Sequence, residues 1–296
     1  MDGILIIDKP AGITSHDVVN RVRRILQTRR VGHTGTLDPF ATGVMVVVVG
    51  KATRLAQFLD KDEKEYEAVV RFGFETETGD RTGGPKPQVQ SPKSVLQSDL
   101  EKILPSFLGE IEQIPPMFSA KKVAGKKLYE HARKGVEIER KPVRVIISTL
   151  EIIESAFRIP HSEFRIRVVC SAGTYIRTLA EDIGRVVGTG AHLAELRRTR
   201  AGRFNLSQSV TLDELEQLAE PTSALLPKEI AVGHLPSIIL DATRVEKTKS
   251  GLSTRVNEAQ FADNEAVSML DEKQNLIAIG FYDAGEKSIR PKIVLV

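Results

Sequence analysis

The chain has 296 residues, of which 41% are hydrophobic and 27% charged, with a formal net charge of +3; this is ordinary for a globular protein and excludes a disordered or fibrous chain. The longest aliphatic run, Val44–Val49, is far shorter than the roughly 20 residues of a membrane-spanning helix, and the Met-Asp-Gly start lacks the basic opening of a secretion signal, so no membrane partner is expected. One cysteine, Cys170, cannot form an internal disulfide, and the six histidines (16, 33, 131, 161, 192 and 234) share no i, i+4 spacing, so a reducing cytoplasmic setting and no metal site are expected.

From the N-terminus, Gly3–Asp8 reads as a short buried strand closed by Lys9-Pro10 and Gly12, after which Thr14 or Ser15 can cap a helix. Val18, Val19, Val22, Ile25 and Leu26 recur at helical spacing. A loop with Gly32, Gly35, Pro39 and Gly43 leads to the apolar strand Val44–Val49 and a helix over 53–59. Residues 64–74 alternate as a strand with Tyr66, Ala68 and Val70 on one face, and a Thr/Gly/Asp loop runs on to Gly84. A helix is predicted over 94–108, strands over 143–153 and 164–171, and a further helix over 175–187. Several neighbouring strands lack the helix that a parallel crossover requires, so the spacing predicts a mixed α/β (α+β) fold with a largely antiparallel central sheet. The chain is punctuated by Pro221, Pro227 and Pro236, and its last ~50 residues read as a small β unit. The boundary is placed at 238/239, giving a large unit over 1–238 and a small one over 239–296.

Charge is patterned rather than strong. Five arginines and no acid lie between Arg21 and Arg30, four more arginines (197, 198, 200, 203) lie between Leu196 and Leu206, and nine Lys/Arg face three Glu between Lys121 and Arg144. Acids gather instead at 60–67 and 213–220. Separated basic patches on a nearly neutral chain suit contacts to a polyanion's phosphates over a broad surface.

Common nucleotide motifs fail. Gly188-Thr-Gly190 lacks a third glycine and follows a helix, while Gly50-Lys51 is followed by alanine where a phosphate loop needs Ser or Thr. The segment from Arg30 to Gly43 stands apart: a glycine-rich turn presents the Asp38 carboxylate near the His33 imidazole, and Pro39 biases the backbone of Asp38 away from helix.

The motif Gly32-His33-Thr-Gly-Thr-Leu-Asp38-Pro39-Phe-Ala-Thr-Gly43 combines with Gly3-Ile-Leu-Ile-Ile-Asp8-Lys9-Pro10, Lys64-Glu-Tyr66, Pro115-Pro116-Met-Phe-Ser119 with Gly125-Lys-Lys-Leu-Tyr129, and Cys170-Ser-Ala-Gly173-Thr-Tyr175-Ile-Arg177. In these motifs, taken in order, the chain resembles the TruB family of tRNA pseudouridine synthases almost end to end. The resemblance implies a pseudouridine-synthase catalytic fold, a basic insertion over about 119–144 that closes on RNA, and a small C-terminal PUA-like RNA-binding unit. The implied reaction isomerises uridine 55 in the T arm of tRNA without any cofactor, by base flipping, glycosidic cleavage and re-attachment through C5. The implied catalytic residue is Asp38, as nucleophile on the ribose or as the base that starts glycal formation. Tyr66 is implied to stack on the uracil, Arg177 to pair with Asp38 and keep it ionised, Tyr175 to line the same pocket, and His33 to fill the space of the flipped base. Lys9 is expected to brace the pocket floor and Leu196 to pack on the uracil. The expected partner is tRNA and the expected state a monomer. Two alternatives stay open: a tRNA-folding chaperone acting by binding alone, and a glycosidase releasing free uracil, the latter weakened because only one carboxylate is marked out.

Overall fold

The computed structural model describes residues 1–59, 62–87, 95–119, 121–123, 125–132, 135–136, 138–153, 163–256 and 261–295. Asp60, Ser94, His161 and positions 120, 124, 133, 134 and 137 of the basic insertion lie outside the described residues.

The first strand, β1 (Gly3–Lys9), is followed by helix α1 (Ser15–Ile25). Thr14 is the cap: its hydroxyl accepts from the Asp17 N–H while the Asp17 carboxylate accepts from the Thr14 N–H, a reciprocal arrangement that satisfies two otherwise orphan donors. Next come β2 (Val31–Thr34) and β3 (Thr42–Val49). The sequence suggested only a loop before Val44; its start is a strand because the backbone of Val31–Thr34 pairs with Val46–Val49. The expected helix over 53–59 is a 3-10 turn, Gly50–Leu55, running into the single turn α2 (Ala56–Leu59). Strand β4 (Lys64–Phe72) precedes α3 (Gln97–Ile103), which Pro105 converts to a 3-10 turn, Leu104–Phe107.

Strand β5 (Gly109–Gln113) was not foreseen. The basic insertion carries the two-residue strands β6 (Lys122–Val123) and β7 (Lys126–Lys127) and the helical turn α4 (Leu128–Ala132). Then follow β8 (Val143–Ile152), β9 (Glu163–Cys170), α5 (Ile176–Val187) and β10 (Ala191–Ala201). The short β11 (Phe204–Asn205) and α6 (Leu212–Gln217) complete the large unit.

These strands form one nine-stranded sheet in the order β1-β3-β10-β4-β9-β8-β5, with β2 on β3 and β11 on β10. Among the described residues its pairings are antiparallel except where β10 meets β3, with Arg197 opposite Thr42 and Arg198 opposite Gly43. The run Val44–Val49 is apolar throughout because both faces of β3 are buried: Met45, Val47 and Val49 join the cluster under α1 and α5, and Val44, Val46 and Val48 the cluster on the opposite side.

A second sheet is built from β12 (Ser237–Leu240), β13 (Thr254–Arg255), β14 (Ala266–Asp271), β15 (Leu276–Asp283) and β16 (Ser288–Val294), with α7 (Ala242–Lys249) between β12 and β13. Position 239 falls inside β12. Leu276, Ile279, Ile293 and Leu295 pack into the same apolar cluster as Ile4, Ile6 and Val46, so the small sheet is seated on the back of the large one. Arg54 reinforces the seam by donating to the Val294 carbonyl at 2.6 Å.

The β3–β10 junction depends on a residue without a side chain. A Cβ at Gly43, whose φ is +102°, would sit 2.1 Å from the Arg198 carbonyl oxygen, which is backbone and cannot swing aside. Gly43→Ala is expected to destabilise the fold by about 1–3 kcal/mol, the range for forced overpacking, read as a lower urea midpoint at unchanged slope. An unchanged midpoint would contradict this account of the junction.

Candidate active site

Asp38 sits on the turn between β2 and β3, and that turn is pinned from beneath. The Ser15 hydroxyl accepts from the Leu37 N–H at 2.9 Å and donates to the Leu37 carbonyl at 3.0 Å. Lys9, fully buried, sends its ammonium to the carbonyls of Pro10, Pro39 and Ala41 at 2.9, 3.3 and 2.7 Å. Burial pulls the Lys9 amine down to about 8, opposed in part by Asp38. The Gly12 N–H adds a bond to the Pro39 carbonyl. Three donors, the Ser15 hydroxyl, the Lys9 ammonium and the Gly12 N–H, thus hold the residues flanking Asp38, leaving its carboxylate to project from the turn.

Arg177, the second residue of α5, reaches that carboxylate with two of its nitrogens: Nε lies 3.0 Å from Oδ2, and Nη2 donates to Oδ1 at 3.3 Å. The guanidinium is 5% exposed and fully employed. Nη1 donates to the Thr78 carbonyl at 2.9 Å and lies 3.6 Å from Asp80, while Nη2 also donates to the Phe118 carbonyl at 2.7 Å. Asp80 is held in turn by the hydroxyls of Thr78 and Thr82 and by the Thr82 N–H. Arg177 therefore stands between two carboxylates, one buried and structural in its surroundings, the other 32% exposed by its side chain and facing a cavity.

That cavity has a volume of about 470 Å³ and is lined by His33, Asp38, Tyr66, Tyr175, Arg177 and Leu196 together with Arg198 and Lys121, large enough to admit a small molecule or one nucleotide. Six of the seven side chains nominated from sequence line it. Lys9 is the exception, sitting behind the turn as described. Tyr66 and Leu196 come from neighbouring strands β4 and β10, and His33 from β2. Tyr175 is the cap residue of α5 without capping it by its side chain. Gln113 fixes the Tyr175 backbone, accepting from the Tyr175 N–H at 2.9 Å and donating to the Tyr175 carbonyl at 3.2 Å.

Three site residues escaped the sequence reading: Asp80, Gln113 and Arg198. Gln113 and Asp80 carry no local motif, and their partners are far along the chain. Arg198 was counted in a surface patch. The structure corrects that patch: Arg198 is 1% exposed, Arg197 pairs with Asp8 at 2.6 Å, and Arg200 pairs with Glu63 at 3.2 Å. Strand β10 lies in the interior of the sheet, so these arginines face backbone and carboxylates. Within the first patch Arg21 is bound to Asp213 and Glu216, while Arg24, Arg29 and Arg30 are exposed. Among the described residues no group of His, Cys, Asp and Glu could hold a metal ion, and no helix is long and apolar enough to cross a membrane.

A family model for the TruB family pseudouridylate synthase N-terminal domain matches residues 23–176, and one for the tRNA pseudouridylate synthase B C-terminal domain matches residues 177–233. The chain belongs to the TruB family of pseudouridine synthases. It is 40% identical over 303 aligned residues to the tRNA pseudouridine synthase B of Bacillus subtilis strain 168, covering 100% of this chain and 98% of that one. Against the protein of the same name from Bacillus pumilus the identity is 42%, covering 94% and 92%. Among solved structures, a Cbf5-Nop10-Gar1 complex contains a chain with TM-score 0.75 and 28% identity, covering 99% of this chain and 85% of that one. An H/ACA RNP bound to a substrate RNA containing 2'-deoxyuridine gives TM-score 0.74 and 27% identity over the same shares. The family's mixed α/β fold with its central sheet is the one described above.

The electrostatics of the pair set a pH dependence. Burial, the largest influence, pushes the Asp38 carboxyl above its ordinary value; Arg177 pulls it down, Asp80 pushes it up and Lys9 pulls it down, and the balance is a raised carboxyl. Arg177 thus favours the ionised form, and desolvation outweighs it. If the anion is the reactive form, the acid limb of kcat/KM lies above the ordinary carboxylate value and moves to still higher pH in Arg177→Gln, where desolvation loses its main opponent. A limb that moves to lower pH in that variant would show that Arg177 does not act on Asp38 in this way.

Proposed function

We propose that the chain isomerises uridine 55 in the T arm of tRNA to pseudouridine, with Asp38 as the catalytic carboxylate. The observation that carries this reading is the bidentate Arg177–Asp38 pair at the wall of a cavity whose other walls are Tyr66 and Leu196.

The target base lies in a folded loop and must be everted at a cost of about a few kcal/mol before any of these groups can reach it. Exposed Arg24, Arg29 and Arg30, with Lys121 at the cavity rim, supply phosphate contacts that offset this cost. The everted uracil enters the cavity with Tyr66 against its face and Leu196 on the other side, and His33 takes the space the base has left. Asp38 then meets the sugar. It acts either as a nucleophile at C1′, a role carboxylates fill at glycosidic carbons, or as the base that removes the C2′ proton. As the nucleophile Asp38 bonds to C1′ as the N1–C1′ bond breaks, and is released as C5 bonds to C1′; as the base it returns its proton to C2′ when C5 bonds to C1′. In both routes the N1–C1′ bond breaks, the base turns over, the C5 proton is lost and N1 is protonated. Atoms are conserved from substrate to product, and no redox partner is consumed.

In this reading residues 1–238 form the catalytic unit, in which the insertion over about 119–144 closes on the RNA, and residues 239–296 form a PUA-like unit that extends the RNA-binding surface, acting in the cytosol. The seating of the small sheet on the large one supports a fixed rather than a swinging relation between the two.

The test is position-resolved pseudouridine mapping of tRNA treated with wild type and with Asp38→Asn. Wild type is expected to convert position 55 alone, and Asp38→Asn to lose at least about 10³-fold in rate, more than the 10²–10⁴ typical of losing an auxiliary acid or base suggests at its low end, while still binding the tRNA. Conversion by Asp38→Asn at the wild-type rate, or modification elsewhere only, would contradict it.

A further inference from the structure

Among the described residues Arg198 is the largest side chain with essentially no exposure. Its strand β10 places it directly opposite Tyr66 on β4 and opposite Gly43 on β3, at the point where the sheet changes from antiparallel to parallel pairing. Nε donates to the Val44 carbonyl at 2.6 Å and Nη2 to the Gly35 carbonyl at 3.0 Å, and the Tyr66 phenol takes a third contact. Among the described residues no carboxylate pairs with it. Such isolation is unusual, because a buried charge is ordinarily neutralised by a partner, and a second buried cation, Lys9, is close enough for the two to repel.

The guanidinium is not sealed off from the site. Arg198 is among the residues lining the cavity with Asp38 and Tyr66, and Gly35 lets the backbone of the turn approach the guanidinium: a Cβ there, at φ +70°, would lie 3.4 Å from Arg198 Nη1. Arg198 thus puts a fixed, desolvated cation without a carboxylate partner among the residues of the cavity wall. The reaction proposed above produces a need for such a donor. When the N1–C1′ bond breaks, its electron pair leaves with the base, and uracil becomes an anion with charge spread over its ring nitrogens and carbonyl oxygens. The anion persists until C5 bonds to C1′.

We propose that Arg198 is a catalytic residue that donates to a carbonyl oxygen of the departing uracil and stabilises this anion, Asp38 and Arg198 dividing the work between sugar and base. The inference rests on the isomerase reading, and its experiment separates the two. Single-turnover rates are measured with full-length wild type, Arg198→Gln and Arg198→Lys on a T-arm hairpin carrying either uridine or 5-fluorouridine at the target, following loss of the N-linked nucleoside by chromatography after digestion. Fluorine withdraws electron density and makes the base a better leaving group that needs less help.

Arg198→Gln is expected to lose about 10²–10³-fold on uridine, the cost of removing one preorganised donor, and roughly tenfold less than that on 5-fluorouridine, with RNA affinity unchanged. Arg198→Lys, which keeps the charge, is expected to recover part of the uridine rate and to show the same difference between the bases in smaller measure, so that it serves alone if the glutamine variant does not fold. A purely structural role would slow both substrates by the same factor, and that result, or a loss confined to RNA affinity, overturns the assignment of Arg198. Absence of any turnover of the uridine hairpin by wild type would instead remove the isomerase reading itself.

Discussion

The site depends on one ion pair that joins residues 139 positions apart, Asp38 on the turn before β3 and Arg177 in the first turn of α5. The pair works only because each partner is over-determined by other bonds. Arg177 spends its remaining N–H groups on the Thr78 and Phe118 carbonyls and on Asp80, so its orientation does not rely on Asp38. Asp38 is placed by its backbone, which Ser15 and Lys9 tie down on either side. An exposed pair of the same length would contribute little. Here the cation is enclosed, the carboxylate opens onto a cavity, and the interaction fixes position more than it adds stability. The contact to the Phe118 carbonyl also links the guanidinium to the segment that opens the basic insertion, so a movement of that segment bears directly on the Asp38–Arg177 pair.

The sheet supplies the geometry that the pair requires. Its antiparallel strands are broken by one short parallel contact between β3 and β10, made possible by the absent side chain of Gly43. Through that junction Tyr66, Leu196 and Arg198 from the centre of the sheet come to face the turn that follows β2. Lys9 lies at the end of β1, antiparallel to β3, so the residue that braces the turn and the strand that follows it belong to the same ladder. The second sheet covers the opposite face of β1 and β3, keeping both sides of this region dry.

Much of this was legible in the sequence where the signal is local. A capping residue at Thr14 or Ser15 and the helical spacing of Val18, Val19 and Val22 announce α1, and the unbroken apolar run Val44–Val49 announces a strand. The alternation in 64–72 places Tyr66 inward. His33, Asp38, Tyr66, Tyr175 and Arg177 were nominated through motif resemblance, and the structure draws these separated motifs into one cavity. What was hidden is what only long-range pairing decides. The arginines of β10 read as surface because nothing near them in sequence neutralises them; in the fold Asp8, Glu63 and the carbonyls of Gly35 and Val44 do so. Gln113 and Asp80 were likewise silent, since their work is to position backbone and guanidinium groups 60 to 100 residues away. Strand β2 was missed because four residues, one of them glycine, at the head of a glycine-punctuated loop become a strand only when β3 offers an edge.

The most direct measurement is the structure of this chain bound to a T-arm hairpin with 5-fluorouridine at the target position. The account requires the target nucleotide to be out of its stack and inside the cavity of about 470 Å³, with its sugar against Asp38 and its ring between Tyr66 and Leu196. A complex in which the nucleotide stays stacked in the RNA, or lies in the cavity with its sugar turned away from Asp38, would contradict it.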